Sequence, residues 1–324
     1  MSHRAPRPHT RGLTPAGLLL ALLLPALAAC GGEKSVGLGE DLRPGFDAVE
    51  ITGDFGAAPE VTWKSQMSAD KTETKTLVEG DGPTIEAGDQ AFAYLWVGNG
   101  YTKKEAYSGY EGGQPEMLTA DDKSLSAVFA DLLTGAKAGS RLAAVANAAD
   151  VFGEAGNPSI GVANEDAVLI VMDVVSPILD KVEGAAQPAP AWAPALVEAE
   201  GAVTGLDFSK APAPTKQLRK AVLVQGTGAE VPADGSVLVR YLGQVYKGAK
   251  PFDQNFDKAA NELQPFSLDG VVAGWKQGLA GQKVGSRVLL AIPPALGYGS
   301  KGNADAGIKG TDTLYFVVDI LGAS

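Results

Sequence analysis

The chain has 324 residues, 27 basic against 38 acidic side chains and a formal charge of −11, which excludes nucleic acid as a partner because phosphate recognition needs a basic face. An apolar share of 45% is enough for packed cores, and the 41 glycines and 20 prolines suit a turn-rich β structure better than a helix bundle. Both histidines, His3 and His9, lie in the first ten residues, and the only cysteine is Cys30. Once the N-terminus is removed no imidazole remains. That excludes Ser-His-Asp and Cys-His catalysis, zinc sites built on His or Cys, and an internal disulfide framework, so no metal and no cofactor is expected.

The first elements read as an export signal. Arg4, Arg7 and Arg11 precede the apolar run Leu18-Leu-Leu-Ala-Leu-Leu-Leu24, and the thirteen residues from Gly17 to Ala29 are too few to span a bilayer, which takes about 20. The run ends Leu27-Ala-Ala-Cys-Gly31, which resembles the lipobox of bacterial lipoproteins, where the cysteine is acylated and becomes the first residue. The competing reading is an Ala-x-Ala secretion signal with an incidental cysteine. On the first reading, 1–29 is a lipoprotein signal peptide, Cys30 is the lipid attachment site, and 30–63, rich in glycine and without clear periodicity, is a membrane tether. Cleavage would leave a charge of −14, so acyl chains and not charge would hold the protein to the outer face of the bacterial cytoplasmic membrane.

Sliding the chain against itself by 146 residues gives an ungapped match. Leu77-Val-Glu-Gly-Asp-Gly82 falls on Leu223-Val-Gln-Gly-Thr-Gly228, and Gly135-Ala-Lys-Ala-Gly-Ser-Arg141 on Gly281-Gln-Lys-Val-Gly-Ser-Arg287. Residues 125–175 and 271–321 share 15 identities in 51 positions. So long a period, seen twice, means duplicated domains and not a solenoid. The expected domains are 64–178 and 215–324, joined by a linker over 179–214 whose alternating Pro and Ala favour an extended spacer.

In the second copy, Val237–Val245 reads as a strand with Val237, Val239 and Tyr241 on one face. Val271–Leu279 is the one convincing helical stretch. Arg287–Ile292 and Thr313–Leu321 are further strands, the latter apolar on both faces and therefore central. This order predicts an α+β fold, a curved antiparallel sheet wrapped on one short α-helix, in each of two tandem domains.

Four motifs then appear in order: Val239-Arg-Tyr-Leu-Gly243, Lys250-Pro-Phe-Asp253, Phe266-Ser-Leu-Asp-Gly-Val-Val-Ala-Gly-Trp275 and Ile292-Pro-Pro-Ala-Leu-Gly-Tyr-Gly299. Together with Ile308 and Phe316 they resemble the FKBP-type peptidyl-prolyl cis-trans isomerases over about 215–324. The resemblance implies a catalytic slot of Tyr241, Phe252, Asp253, Trp275, Tyr298 and Phe316, with Val271, Val272 and Ile308 binding substrate. Asp253 would orient Tyr241, and the Tyr298 hydroxyl would hold a substrate carbonyl. It also implies Pro-containing polypeptides as partners and a macrolide as inhibitor. Paired domains of this composition are similar to actinobacterial cell-surface isomerases. Gly297-Tyr-Gly-Ser-Lys-Gly302 fits a dinucleotide-binding pattern, but Pro293-Pro294 precedes it and no helix start follows.

Departures from the family pattern are Gln264 in place of a pocket aromatic, Val272 for Ile, and Lys309-Gly310 where Pro-Pro is common. In the first copy the same offset puts Leu95 at Tyr241, Ala106 and Tyr107 at Phe252 and Asp253, Phe129 at Trp275 and Phe152 at Tyr298, with Asn147-Ala148 for the Pro-Pro pair. A one-residue slip would bring Trp96 to the Tyr241 position. The first copy is expected to be a poor isomerase or none. The leading expectation is a lipid-anchored isomerase acting on exported proteins; the alternatives are a non-catalytic chaperone or adaptor holding Pro-containing segments, and a plain envelope spacer.

Overall fold

The computed structural model describes residues 41–113, 115–121, 123, 125–258 and 263–324. Cys30 and the whole expected signal segment lie outside the described residues. Among these residues no helix is long and apolar enough to cross a membrane.

The described chain opens with β1 (Leu42–Pro44), a hairpin of β2 (Val49–Thr52) and β3 (Glu60–Trp63), and β4 (Gln66–Ser68), which pairs with β1 in parallel. A six-stranded sheet follows, built from β5 (Glu73–Val78), β6 (Gln90–Asn99), β7 (Lys104–Ser108), β8 (Glu116–Thr119), β9 (Arg141–Asn147) and β10 (Ala167–Ile178). Helices α1 (Ala127–Leu133) and α2 (Ala148–Phe152) interrupt it. Its strand order is β5-β9-β10-β6-β7, with β8 also on β6. After β11 (Gly184–Ala186) and the hairpin of β12 (Ala195–Ala199) and β13 (Ala202–Asp207) comes a second sheet. It contains β14 (Arg219–Gly226), β15 (Ser236–Val245), β16 (Asp253–Gln254), β17 (Phe266–Ser267), β18 (Arg287–Ile292) and β19 (Leu314–Ala323), with α3 (Ala273–Leu279) between β17 and β18. The order is β11-β14-β18-β19-β15-β16, with β17 on β15. As its two apolar faces require, β19 is central.

The 146-residue offset holds to the level of single hydrogen bonds. β6 and β10 pair Ala93 with Val174 and then skip Val175 to pair Phe92 with Ser176. β15 and β19 pair Val239 with Ile320 and skip Leu321 to pair Leu238 with Gly322. Arg141 faces Asp173 with Nε 2.7 Å from Oδ1, and Arg287 faces Asp319 at 2.6 Å. Ser140 Oγ accepts the Gly80 N–H, and Ser286 Oγ the Gly226 N–H, both at 2.9 Å.

Two expectations about the flanks are corrected. Within the expected tether 30–63, residues 42–63 fold over the outer face of the first sheet; within the expected linker 179–214, residues 184–186 add an edge strand to the second sheet and 195–211 cover its outer face. Ala48, Val49 and Met67 are buried against Trp96, Val145, Leu169 and Val171. Val203, Leu206, Phe208 and Ala211 are buried against Leu242, Leu289, Tyr315 and Val317. A sheet apolar on both faces needs a layer on each, and α1 or α3 supplies only one. The covers are also tied by polar groups: Arg141 donates to the Gly53 and Ala57 carbonyls, Arg287 to Glu198 Oε1 at 2.8 Å, and Gln244 exchanges hydrogen bonds with the Leu206 backbone.

The expectation of one helix per copy also fails in the first, which has α2. Asn147 caps it by accepting the Ala149 N–H at 2.9 Å, and no proline obstructs the turn. At the equivalent place Pro293-Pro294 removes two amide donors and bars the α conformation before each ring, so the chain forms only 3-10 turns, Pro294–Leu296 and Gly299–Lys301.

Candidate active site

The slot lies where β15, α3 and the loop after β18 converge on the inner face of the second sheet. Alternation along β15 points Val237, Val239 and Tyr241 inward, into one buried cluster with Trp275, Ile308 and Phe316. The rings meet edge to face. Trp275 is centred 5.3 Å from Tyr241 and 5.3 Å from Phe316, and Phe252 lies 5.5 Å from Phe316. Val271 and Val272, just ahead of α3, pack partly buried against the same cluster. Seven of the nine residues expected to line the slot are therefore brought together in this cluster.

The polar groups sit at its rim. The Tyr241 hydroxyl donates to Asp253 Oδ2 at 2.6 Å. Burial, the carboxylate of Asp253 and the nearby Tyr298 together hold the Tyr241 phenol well above its ordinary pKa of 10.0, so it stays a neutral donor. Tyr298 stands between the two 3-10 turns with 39% of its surface exposed, the most exposed of the slot aromatics. The Trp275 indole N–H is buried with no hydrogen-bond partner among the described residues. Unpaired donors in such surroundings cost about 1–3 kcal/mol, which a bound acceptor would relieve. Among the described residues no cluster of His, Cys, Asp and Glu could hold a metal ion.

Three contributors escaped the sequence reasoning. Phe266 packs edge-on to both Tyr241 at 5.6 Å and Trp275 at 5.7 Å, supplying a ring while Gln264 is exposed. Its place at the head of the motif ending in Trp275 was the available signal. Asn255 is buried and continues the sheet past β16: its Oδ1 accepts the Tyr241 N–H at 2.6 Å and its Nδ2 donates to Val239 O at 2.9 Å. Gly243 leaves the space the rings occupy, since a Cβ there would lie 2.6 Å from both Phe252 Cζ and Phe316 Cε1. At the altered rim, Lys309 is exposed and its N–H is held by Asp312 Oδ2 at 2.8 Å.

In the first copy the register admits no slip. Leu95 pairs with Met172 as Tyr241 pairs with Val318, while Trp96 belongs to the outer cluster. Leu95, Phe129, Val162 and Ile170 are all buried, and Phe152, carried on α2, is 8% exposed where Tyr298 is 39%. No polar pair corresponds to Tyr241 and Asp253; Tyr107, at the Asp253 position, donates instead to Glu116.

The sequence model of the FKBP-type peptidyl-prolyl cis-trans isomerases matches residues 228–321. A probable FK506-binding protein of Corynebacterium glutamicum is 35% identical over 118 residues, covering 36% of this chain and 96% of the relative. The isomerase FkpA of Escherichia coli K12 is 39% identical over 100 residues, covering 31% of this chain and 35% of FkpA. The crystal structure of FkpA aligns at 36% identity over 33% of this chain and 48% of that one, with a TM-score of 0.30. The chain belongs to the FKBP-type peptidyl-prolyl cis-trans isomerase family, and its isomerase domain is the C-terminal one.

Proposed function

We propose that the second copy accelerates rotation about X-Pro bonds in exported polypeptides without a covalent or proton-transfer step. Conjugation of the imide sets a barrier of ~18–20 kcal/mol. The twisted imide has lost that conjugation and is less dipolar than the planar one. A slot walled by Tyr241, Phe252, Trp275 and Phe316 therefore favours the twisted form once water is excluded. Val271, Val272 and Ile308 grip the proline ring, the Tyr298 hydroxyl holds a substrate carbonyl, and Asp253 fixes the Tyr241 phenol. The observation that carries this reading is the 2.6 Å Tyr241–Asp253 hydrogen bond beside a continuous edge-to-face chain of aromatics, Tyr241–Trp275–Phe316–Phe252. The relatives named for binding FK506 support a macrolide as a ligand of the same slot.

The first copy is a second FKBP-like domain of the tandem that has lost the reaction. Cys30, acylated after cleavage of 1–29, anchors the whole to the outer face of the membrane. Uncatalysed X-Pro rotation takes ~10–100 s, slow enough to limit folding of exported clients.

The test is NMR exchange on a short X-Pro peptide with the full-length chain. Tyr298→Phe and Asp253→Ala should slow exchange while peptide binding changes little. Equal loss of both, or of neither, would count against this reading, and binding without any acceleration in the wild-type chain would make the domain a holdase.

A further inference from the structure

Between β16 and β17 the chain makes a long excursion whose two ends carry slot residues, Phe252 and Asp253 on entry and Phe266 on exit. Within its described part, 253–258 and 263–266, only Asn255 and Leu263 are buried. Asn255 ties the entry to β15, and Arg240 Nη1 donates to the carbonyls of Phe256 at 3.3 Å and Lys258 at 2.6 Å. The exit has a different anchor. Leu263 enters a buried cluster with Leu238 and Leu321 of its own sheet and Phe92 and Ile178 of the first, with Met117 and Val175 packed alongside.

That seam is close-fitting. A Cβ on Gly322 would lie 3.0 Å from Phe92 Cε2 and 3.2 Å from Ile178 Cγ1. Two hydrogen bonds cross it: Ser176 Oγ donates to Ala323 O at 2.9 Å and the Leu179 N–H to Leu321 O at 2.8 Å. Its members are also equivalents, since Phe92 and Leu238, Met117 and Leu263, and Val175 and Leu321 each stand 146 residues apart. The copies therefore meet through the same patch on each, as two subunits do across a two-fold axis.

We propose that the first copy serves the second as a bracket: Phe92 and Ile178 hold Leu263, and through it residues 263–266, so that Phe266 keeps its place against Tyr241 and Trp275. Phe92 and Leu263 are positioning residues and touch no substrate. The proposal rests on reading the second slot as the isomerase site. It accounts for the retention of a whole folded copy whose own slot residues are buried. A reacting geometry is sensitive to shifts of about 1 Å, which cost up to ~100-fold in rate.

The experiment compares full-length wild-type, Phe92→Ala, Phe92→Leu, Leu263→Ala and the double alanine variant. Phe92→Ala should lower kcat/KM on an X-Pro peptide roughly tenfold, within the range such shifts produce. Backbone amides of 263–268 should exchange faster while those of 253–258, tied to β15 by Asn255 and Arg240, and those of β18 and β19 hold their rates, and Phe92→Leu should keep most of the activity. The double variant should lose no more than either single one, because both break the same contact. Wild-type kinetics in Phe92→Ala, faster exchange without loss of rate, or additive losses in the double variant would each overturn the bracket. Should Phe92→Ala unfold the first sheet, Leu263→Ala must lose rate and Leu263→Met must keep it. A wild-type chain without isomerase activity would sink the reading of the slot; exchange over 263–266 in Phe92→Ala would still decide the bracket, faster upholding it and unchanged overturning it.

Discussion

Gly243 and Val97 occupy the same position on the same strand of the two sheets, facing Phe316 and Ile170 across equivalent ladders. Around Gly243 stand Phe252 and Phe316; the equivalents beside Val97 are Ala106 and Ile170. The same volume is thus filled in two ways. In one copy a missing side chain leaves room for two rings that form a slot wall, and in the other a valine closes the space. The loop after the third long strand completes the contrast. Pro293-Pro294 forbids a helix and leaves Tyr298 facing solvent, whereas Asn147-Ala148 starts α2, which carries Phe152 inward. The slot residues differ between the copies while the order of the six shared strands, their long ladders and the Arg–Asp pair do not. The scaffold and the site are separable properties of this fold.

The largest effect should come from the scaffold. The Arg141–Asp173 pair is fully buried, at 1% and 0% side-chain exposure, and Arg287–Asp319 less so at 13% and 5%. Arg141→Met should cost the first sheet about 3–5 kcal/mol, because Asp173 is left charged and buried. Arg287→Met should cost the second sheet less, since solvent reaches its pair. Native-state hydrogen exchange on β10 and β19 separates the two losses; equal losses would break the contrast.

Next comes the swap of volumes. Gly243→Val should expel Phe252 or Phe316 from the slot wall, destabilise the second sheet by about 1–3 kcal/mol through overpacking, and lower kcat/KM by roughly one to two orders of magnitude. A variant that kept full activity would show that Phe252 is not part of the working wall.

A smaller effect concerns pH. The native Tyr241 phenol holds its proton above its ordinary value of 10.0. The unfolded chain releases that proton first, so this contribution to stability is complete below pH about 10 and declines as pH rises further. Isomerisation should be flat from pH 6 to 9 by this account, because no group with an ordinary pKa in that range takes part. A bell-shaped profile there would mean that proton transfer contributes after all.

Much of this was legible in the sequence for reasons that can be named. The strand over Thr313–Leu321 was apolar on both faces and proved central, and the ungapped repeat carried its register into the structure. The slot residues were named through the family resemblance, which rests on ordered motifs; no periodicity or spacing marked them. The cover segments were not readable. Residues 42–63 and 184–207 are short irregular strands that gain their structure from the sheet beneath them, so their own pattern looked like tether and linker. Asn255 escaped for a related reason, since a side chain standing in for a ladder leaves no periodic trace. The same double-sided apolar strand, read more fully, called for a second covering layer.

The most direct test of the contrast is an NMR titration of the full-length chain with a Pro-containing peptide, following both copies at once. One peptide should bind per chain, with shifts confined to the surroundings of Tyr241, Phe252, Trp275, Ile308 and Tyr298. Saturation at two peptides, or shifts of similar size around Leu95, Phe129 and Phe152, would contradict the claim that only the second copy holds an open slot.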